Sequence, residues 1–389
     1  MTGPREIFTR RRALASFGVL AGLTGVGCAS SNVALPGVTV RPQPGKVLWL
    51  SRPLVDGESV LGVVSAGGIV CVGDGFGNIY GLNAATGTTL WRRTFRDNAS
   101  GYLPLAAAGG RVFAVGSGRV AALSAATGQQ LWSVPAAGVE PSFPPQLPTY
   151  FVVYANGVVC VLGADGHVAG LDPLTGGQIW RSASNGFEAG AAAGNGVLYV
   201  AEIFPNGVVA LDVRTGLQRW ATATPSVAST LLVLDSVVAG TPAPSPSYDA
   251  GVLTFALDKA TGRLLWQANF DTQTYSRIAG EGDRVYVDVD LLTRSSTAGV
   301  AIHALAARSG QTLWRRAFPG QSIGGTIVAI GGLLYALCPD GVLRALAPAT
   351  GAVIWARPTL GFADSVTSGA QVIYVTADDP GPTIYAIAQ

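Results

Sequence analysis

The chain is poor in the residues that carry most enzymatic chemistry. Of its 389 residues, two are histidine, four are cysteine and one is methionine. Charged residues make up 12%, about half the ~25% usual for soluble domains. His167 and His303 stand apart, without metal-ligand spacing, and read as surface or packing residues. No Cys-x-x-Cys pair occurs. Cys71, Cys160 and Cys338 read as small buried hydrophobes, not as a redox or metal site. Asp288-Val-Asp290 lacks the glycine and the later glutamate of a calcium loop. The run Gly73-Asp-Gly-Phe-Gly-Asn78 links two apolar runs and opens no helix, so it predicts a hairpin, not a phosphate loop. No Gly-x-Ser-x-Gly elbow sits between a strand and a helix. The formal charge of +2, with no basic stripe, argues against nucleic acid as a partner. No catalytic, metal or cofactor residue is assigned.

What the chain does have is glycine, 52 of them, and a tryptophan series. Trp49, Trp91, Trp132, Trp180, Trp220, Trp266, Trp314 and Trp355 are spaced 42, 41, 48, 40, 46, 48 and 41 residues apart. Thr-Gly or Ser-Gly precedes seven of them in register, as in Asn83-Ala-Ala-Thr-Gly-Thr-Thr-Leu-Trp91 and Asp212-Val-Arg-Thr-Gly-Leu-Gln-Arg-Trp220. Short apolar runs such as Ile79-Tyr80-Gly81-Leu82 and Val112-Phe113-Ala114-Val115 come before each pair. β-rich runs separated by Gly, Asn and Asp are strands joined by tight turns. The glycine of each pair supplies a positive φ. The Asp, Asn or Ser three residues before the Thr can cap the turn, but Ala306 and Ala347 hold that place too.

A unit of about 40 residues cannot bury both faces alone, so neighbours must cover each other. Four short antiparallel strands per unit, set radially, predict an all-β, eight-bladed β-propeller. After Trp355 the runs 371–376 and 383–389 begin another unit that has no tryptophan, while Lys46-Val-Leu-Trp-Leu50 is a tryptophan strand with no unit before it. The N-terminal strand is expected to complete the C-terminal blade, which removes the exposed edges of the ring.

The N-terminus reads as an export signal over 1–27. Arg10 and Arg11 fall in Thr9-Arg-Arg-Arg-Ala13, followed by an apolar stretch too short to span a bilayer comfortably. It resembles a twin-arginine signal, with an ordinary secretory signal as the alternative. Leu23-Thr-Gly-Val-Gly-Cys28 resembles a lipoprotein cleavage site, with Cys28 as the lipid attachment and Gly25 departing from the usual bulky aliphatic. Residues 28–45 read as a flexible tether and 46–389 as the propeller.

The recurring unit Leu-Asp-x-x-Thr-Gly-x-x-x-Trp resembles the PQQ-like β-propeller repeat family over 46–389. That family includes quinoprotein dehydrogenases, which bind pyrroloquinoline quinone and calcium and often carry adjacent cysteines, a pair this chain lacks. It also includes non-enzymatic lipoproteins similar to BamB, whose length, N-terminal cysteine, tether and eight blades the layout here looks like. The resemblance implies an exported, membrane-anchored scaffold at the outer face of the cytoplasmic membrane or elsewhere in the cell envelope, monomeric and binding a protein or peptide. A quinone- and calcium-dependent dehydrogenase and an extracytoplasmic small-ligand sensor are the alternatives.

Three units carry insertions, at 134–150, 241–251 and 291–299. In an antiparallel four-stranded blade, the blade-to-blade link and the central hairpin emerge on one face, here called the link face. The Thr-Gly turns emerge on the opposite, turn face. All three insertions should therefore crown the link face. Loops on a rigid scaffold are where recognition usually lives. Phe143, Tyr150, Phe151 and Tyr248 are the candidate aromatic anchors.

Overall fold

The computed structural model describes residues 43–53, 60–95, 103–116, 118–135, 151–162, 167–182, 188–202, 205–242, 252–270, 276–292, 297–320, 326–338, 340–358, 363–368, 371–377 and 382–389. Their strands form eight four-stranded antiparallel sheets, from β1 (Val47–Ser51) to β32 (Thr383–Ala388). Blade one is β2 (Val60–Ala66), β3 (Ile69–Asp74), β4 (Asn78–Asn83) and β5 (Thr89–Thr94), paired in chain order. Blades two to seven repeat that order. The first strands of the blades are β2, β6 (Leu105–Ala108), β10 (Val152–Ala155), β14 (Glu188–Gly194), β18 (Thr230–Val233), β22 (Ser276–Glu281), β26 (Thr326–Ile330) and β30 (Ala363–Ser368). Each touches the first strand of both neighbouring blades, and β30 touches β2. The eight blades thus form the predicted closed propeller.

The described residues share no common core. The buried apolar residues fall into eight clusters, each shared by two adjacent blades. One cluster joins Val64, Cys71 and Ile79 of blade one to Leu103, Val112 and Leu123 of blade two. Middle strands have a neighbour on both sides and are buried throughout, as in β3, whereas the outer strand β5 is largely exposed. The three described thiols, Cys71, Cys160 and Cys338, lie in three different clusters and are unpaired.

The tryptophans are what one blade offers the next. Seven indole N–H groups donate to the carbonyl of the first turn residue in the following blade. The distances are 2.9 Å for Trp49 to Ala84, 2.8 Å for Trp91 to Ala125 and 3.0 Å for Trp132 to Pro173. Trp180 to Val213, Trp220 to Lys259, Trp266 to Ala307 and Trp314 to Pro348 complete the set, between 2.7 and 3.1 Å. Each ring lies flat on the glycine of the same turn. A Cβ added to Gly87, at φ +73°, would sit 2.4 Å from the Trp49 ring. The glycine of the repeat therefore serves two needs: a left-handed backbone and the removal of a methyl from the path of an indole.

The turns close the same way whatever residue precedes them. Gly87 N–H donates to Asn83 O at 2.8 Å, and the same bond forms on Ser124, Ala306 and Ala347. Where the residue is Asn83, Asp172, Asp212 or Asp258, its side-chain oxygen also accepts from the next backbone N–H groups.

The ring closes as the sequence predicts. β1 pairs with β32 as the outer strand of blade eight, with Trp49 opposite Ala386. The joint copies a Thr-Gly turn from two distant parts of the chain. Gly45 N–H donates to Ala388 O and Ala388 N–H to Lys46 O, both at 2.9 Å, as Gly87 does to Asn83 and Asn83 to Thr88. Gly45, read above as the end of the tether, is thus part of the propeller and lies under the Trp355 ring. The copy is incomplete in one respect. Trp355 Nε1 and Tyr335 Oη are buried without a hydrogen-bond partner, whereas their counterparts one blade earlier, Trp314 and Tyr286, both donate to Pro348 O.

Candidate partner-binding face

Strand direction fixes the two faces. The hairpin between β3 and β4 and the link leaving β5 lie at one end of blade one, and the turn at Gly87 lies at the other. Of the three insertions, the first leaves from Pro135, at the end of β9 (Gln130–Pro135). The second joins β19 (Val237–Thr241) to β20 (Val252–Asp258), and the third joins β23 (Arg284–Leu292) to β24 (Thr297–Ala306). All three emerge on the link face. Phe143, Tyr150 and Tyr248 lie outside the described residues, as do Arg10, Arg11 and Cys28.

One expectation about this face needs correction. Phe151 is 4% exposed and packs with Val153, Leu198 and Val200 between blades three and four, so it supports the fold and offers no anchor. The third insertion is a long hairpin, as its sequence predicts, and its described residues continue the two strands. Leu291 pairs with Gly299 and Leu292 with Thr297, which makes β23 and β24, at 9 and 10 residues, the longest strands described. The outer strand β25 (Thr312–Pro319) follows them, with Pro319 opposite Gly299. Blade six therefore projects from the link face as an extended sheet.

The hairpin read from Gly73–Asn78 is built on one buried carboxylate. Asp74 Oδ1 accepts from the backbone N–H of Phe76 at 2.9 Å and of Asn78 at 2.7 Å. Its Oδ2 accepts from Asn78 Nδ2 at 2.6 Å and Tyr80 Oη at 3.3 Å. These bonds offset the cost of its burial, and they leave Phe76 48% exposed at the hairpin tip on the link face. Asp288 is also buried and accepts from Arg277 N–H at 2.5 Å.

The titratable groups serve the fold. His303 packs edge-on against Phe270, with ring centroids 4.7 Å apart; burial, helped by Arg315, depresses its pKa to about 4. It is therefore a neutral packing group at physiological pH. Burial pushes the Cys71 and Cys160 thiols up to about 12, far from the thiolate a nucleophile or metal ligand needs. Among the described residues, no three His, Cys, Asp or Glu side chains gather to hold a metal ion, and no calcium or quinone ligand is assigned.

Asp172, Asp212 and Asp258 all titrate below the ordinary carboxylate value. The leading causes are the Thr175 backbone N–H, the Arg219 guanidinium and the Thr261 hydroxyl, respectively. A depressed folded-state pKa contributes stability above the unfolded value of 3.8, and that stability is lost as pH falls through the folded value. Acid should therefore weaken the turn face below about pH 4. The triple variant Asp172→Asn, Asp212→Asn, Asp258→Asn keeps an accepting oxygen at each turn. Its urea midpoint should fall less between pH 7 and pH 3 than that of the native chain. An equal fall in both would refute this account.

Comparison with known proteins bears on the whole propeller. A family model described as outer membrane protein assembly factor BamB matches residues 38–162, 164–241 and 249–387. Among solved structures, BamB from Moraxella catarrhalis is 19% identical with a TM-score of 0.59, over 84% of this chain and 96% of that one. The computationally designed Ika8 protein is 16% identical with a TM-score of 0.67, over 88% and 100%. A quinohemoprotein alcohol dehydrogenase, ADHIIG from Pseudomonas putida HK5, is 15% identical with a TM-score of 0.62, over 91% and 78%. At these identities the likenesses establish the fold alone. No curated protein matches the sequence.

Proposed function

The chain belongs to the family described as outer membrane protein assembly factor BamB, and from that premise we propose that it is a non-catalytic scaffold that binds a protein or peptide partner in the cell envelope. The observation that carries this reading is the division of labour between the two faces. The repeated residues are consumed in blade-to-blade docking, while the three departures from the repeat all emerge on the link face. A rigid disc with variable loops on one side suits recognition. The N-terminal segment fits the same reading: export through Arg10 and Arg11, and lipid attachment at Cys28, would hold the protein at a membrane surface as a tethered monomer. One acyl chain binds a membrane only weakly, so stable attachment requires more than one.

The test compares the two faces in the native host. A photo-crosslinking residue placed at Phe76 on the link face should give a discrete protein adduct, and one at Leu217 on the turn face should not. Replacing 136–150 and 243–250 by short Gly-Ser loops should abolish the Phe76 adduct. Equal adducts from both faces, or an adduct indifferent to loop shortening, would overturn the proposal. Dye-linked alcohol or sugar oxidation on adding pyrroloquinoline quinone and calcium to the purified chain would overturn it in favour of an enzyme.

A further inference from the structure

We infer that a groove on the rim between blades one and two binds a carboxylate presented by an extended acidic peptide. This rests on the scaffold reading above and gives it a place and a chemistry. The groove has a volume of about 180 Å³ and is lined by Arg93, Thr94, Phe95, Arg119, Gln130 and Ser133, with no carboxylate among the described residues of its wall. Arg93 lies on β5, two residues after Trp91. Its guanidinium rests on Gly128 O at 3.4 Å and Gln130 Oε1 at 3.3 Å, both long bonds. Arg119 opens β8 (Arg119–Ser124) and donates to Ser133 Oγ and Ser133 O, each at 2.9 Å. A guanidinium carries five N–H donors, so most of both forks stays available. Among the described residues neither arginine is paired with a carboxylate.

The surroundings have the same sign. The described residues of blades one and two hold Arg92, Arg93, Arg111 and Arg119 against one carboxylate, Asp74, which is buried and already accepts from Phe76, Asn78 and Tyr80. Two unpaired cations in one concavity concentrate positive potential. A planar fork matches a carboxylate in bidentate geometry. The volume lies well below the ~300–1,000 Å³ of small-molecule pockets, so the groove accepts a side chain, not a cofactor. Phe95, half-buried at the end of β5, supplies an apolar wall for a neighbouring residue. β5 and β9 are the outermost strands of their blades and have no partner on the outer side. Such an edge can add main-chain hydrogen bonds to an extended peptide. Partner chemistry and partner conformation thus follow from the same few residues.

The test uses the full chain and a fluorescein-labelled nonapeptide of alternating Glu and Val, with its Gln analogue as the neutral probe. Fluorescence anisotropy should show the Glu peptide binding roughly tenfold more tightly than the Gln peptide. The variant Arg93→Gln/Arg119→Gln should erase that difference and leave binding of the Gln peptide unchanged. The matched variant Arg92→Gln/Arg111→Gln, with the same change of charge outside the groove, should stay within about twofold of the native chain. Equal loss in both variants would mean diffuse charge attraction, and no loss in either would mean no site; both outcomes overturn the inference. Displacement of the Glu peptide by inorganic phosphate but not by free glutamate would overturn the carboxylate assignment. If loop shortening abolishes the Phe76 adduct while the arginine variants keep the Glu-over-Gln preference intact, the groove falls and the scaffold reading stands.

Discussion

Replacing Gly87 by alanine should destabilise the protein by about 2–5 kcal/mol, while the same change at Gly68 should cost only about 1–2 kcal/mol. Both glycines have positive φ, +73° and +79°. An alanine pays the left-handed backbone penalty at either position, about 1–2 kcal/mol. They differ in what the new methyl meets. At Gly68 nothing lies within 4 Å, whereas at Gly87 the Trp49 ring lies 2.4 Å away. Forcing that ring off its seat adds an overpacking cost of about 1–3 kcal/mol and stretches its hydrogen bond to Ala84. Urea unfolding of the two variants isolates the docking contribution from the backbone one. Equal losses would mean that the indole moves aside without cost and that the flat stacking carries no energy. Gly128 and Gly262 repeat the Gly87 geometry against Trp91 and Trp220, so alanine there should behave like Gly87→Ala.

Deleting residues 43–51 should make the protein associate with itself beyond the state of the native chain. The deletion removes β1, exposes the outer edge of β32 and uncovers residues that are buried from Thr383 to Ala388. An unpaired, apolar strand edge templates pairing with another copy. The energetic part can be measured separately in Trp49→Ala. That change removes an 8%-exposed indole and its bond to Ala84, and should cost about 3–5 kcal/mol. Size-exclusion chromatography reads the deletion. The truncated protein should elute as larger species than the native chain, and a synthetic peptide of residues 43–53 should restore the native elution by taking the vacant edge. A truncated chain whose elution and urea midpoint match those of the native chain would show that β1 is not what closes the ring.

The repeat was legible because it is periodic. Trp91 and Gly128 are separated in space by one blade boundary and in sequence by nearly one unit, so the spacing of the motif is also the spacing of the contact. The Asp74 hairpin was legible because its carboxylate serves neighbours two to six residues away. What failed was a reading that depends on a neighbouring element. Phe151 looks like a loop aromatic after a proline-rich stretch, yet Leu198 and Val200 of the next blade cover it. The long hairpin read at 291–299 was legible, and its described residues carry the ladder on, with Leu291 opposite Gly299 and Leu292 opposite Thr297. Gly299, at φ +132°, lets the backbone pass against Phe318, where a Cβ would lie 2.1 Å from the carbonyl oxygen. The groove at Arg93 and Arg119 gave no local signal, since its two arginines come from different blades and belong to no motif. In sequence Trp355 carries the same Thr-Gly or Ser-Gly turn as six of its counterparts. It lacks an acceptor because the turn opposite it is assembled from two distant parts of the chain.

That assembled turn also dictates an order of events in time. The boundaries between successive blades can form as soon as one more unit exists, since Trp91 reaches Ala125 across only 34 residues. The seam is different: Arg52 donates to Thr383 across 331 residues. Closing the longer loop costs about 2 kcal/mol more in chain entropy than closing the shorter one. A chain emerging from the ribosome therefore builds an open crescent, blade upon blade, while its earliest strand waits unpaired. Contacts of such separation fold slowly. The rate-limiting step of folding falls at the seam, after the last strand has been made, and the waiting strand is the part of the nascent chain most in need of protection.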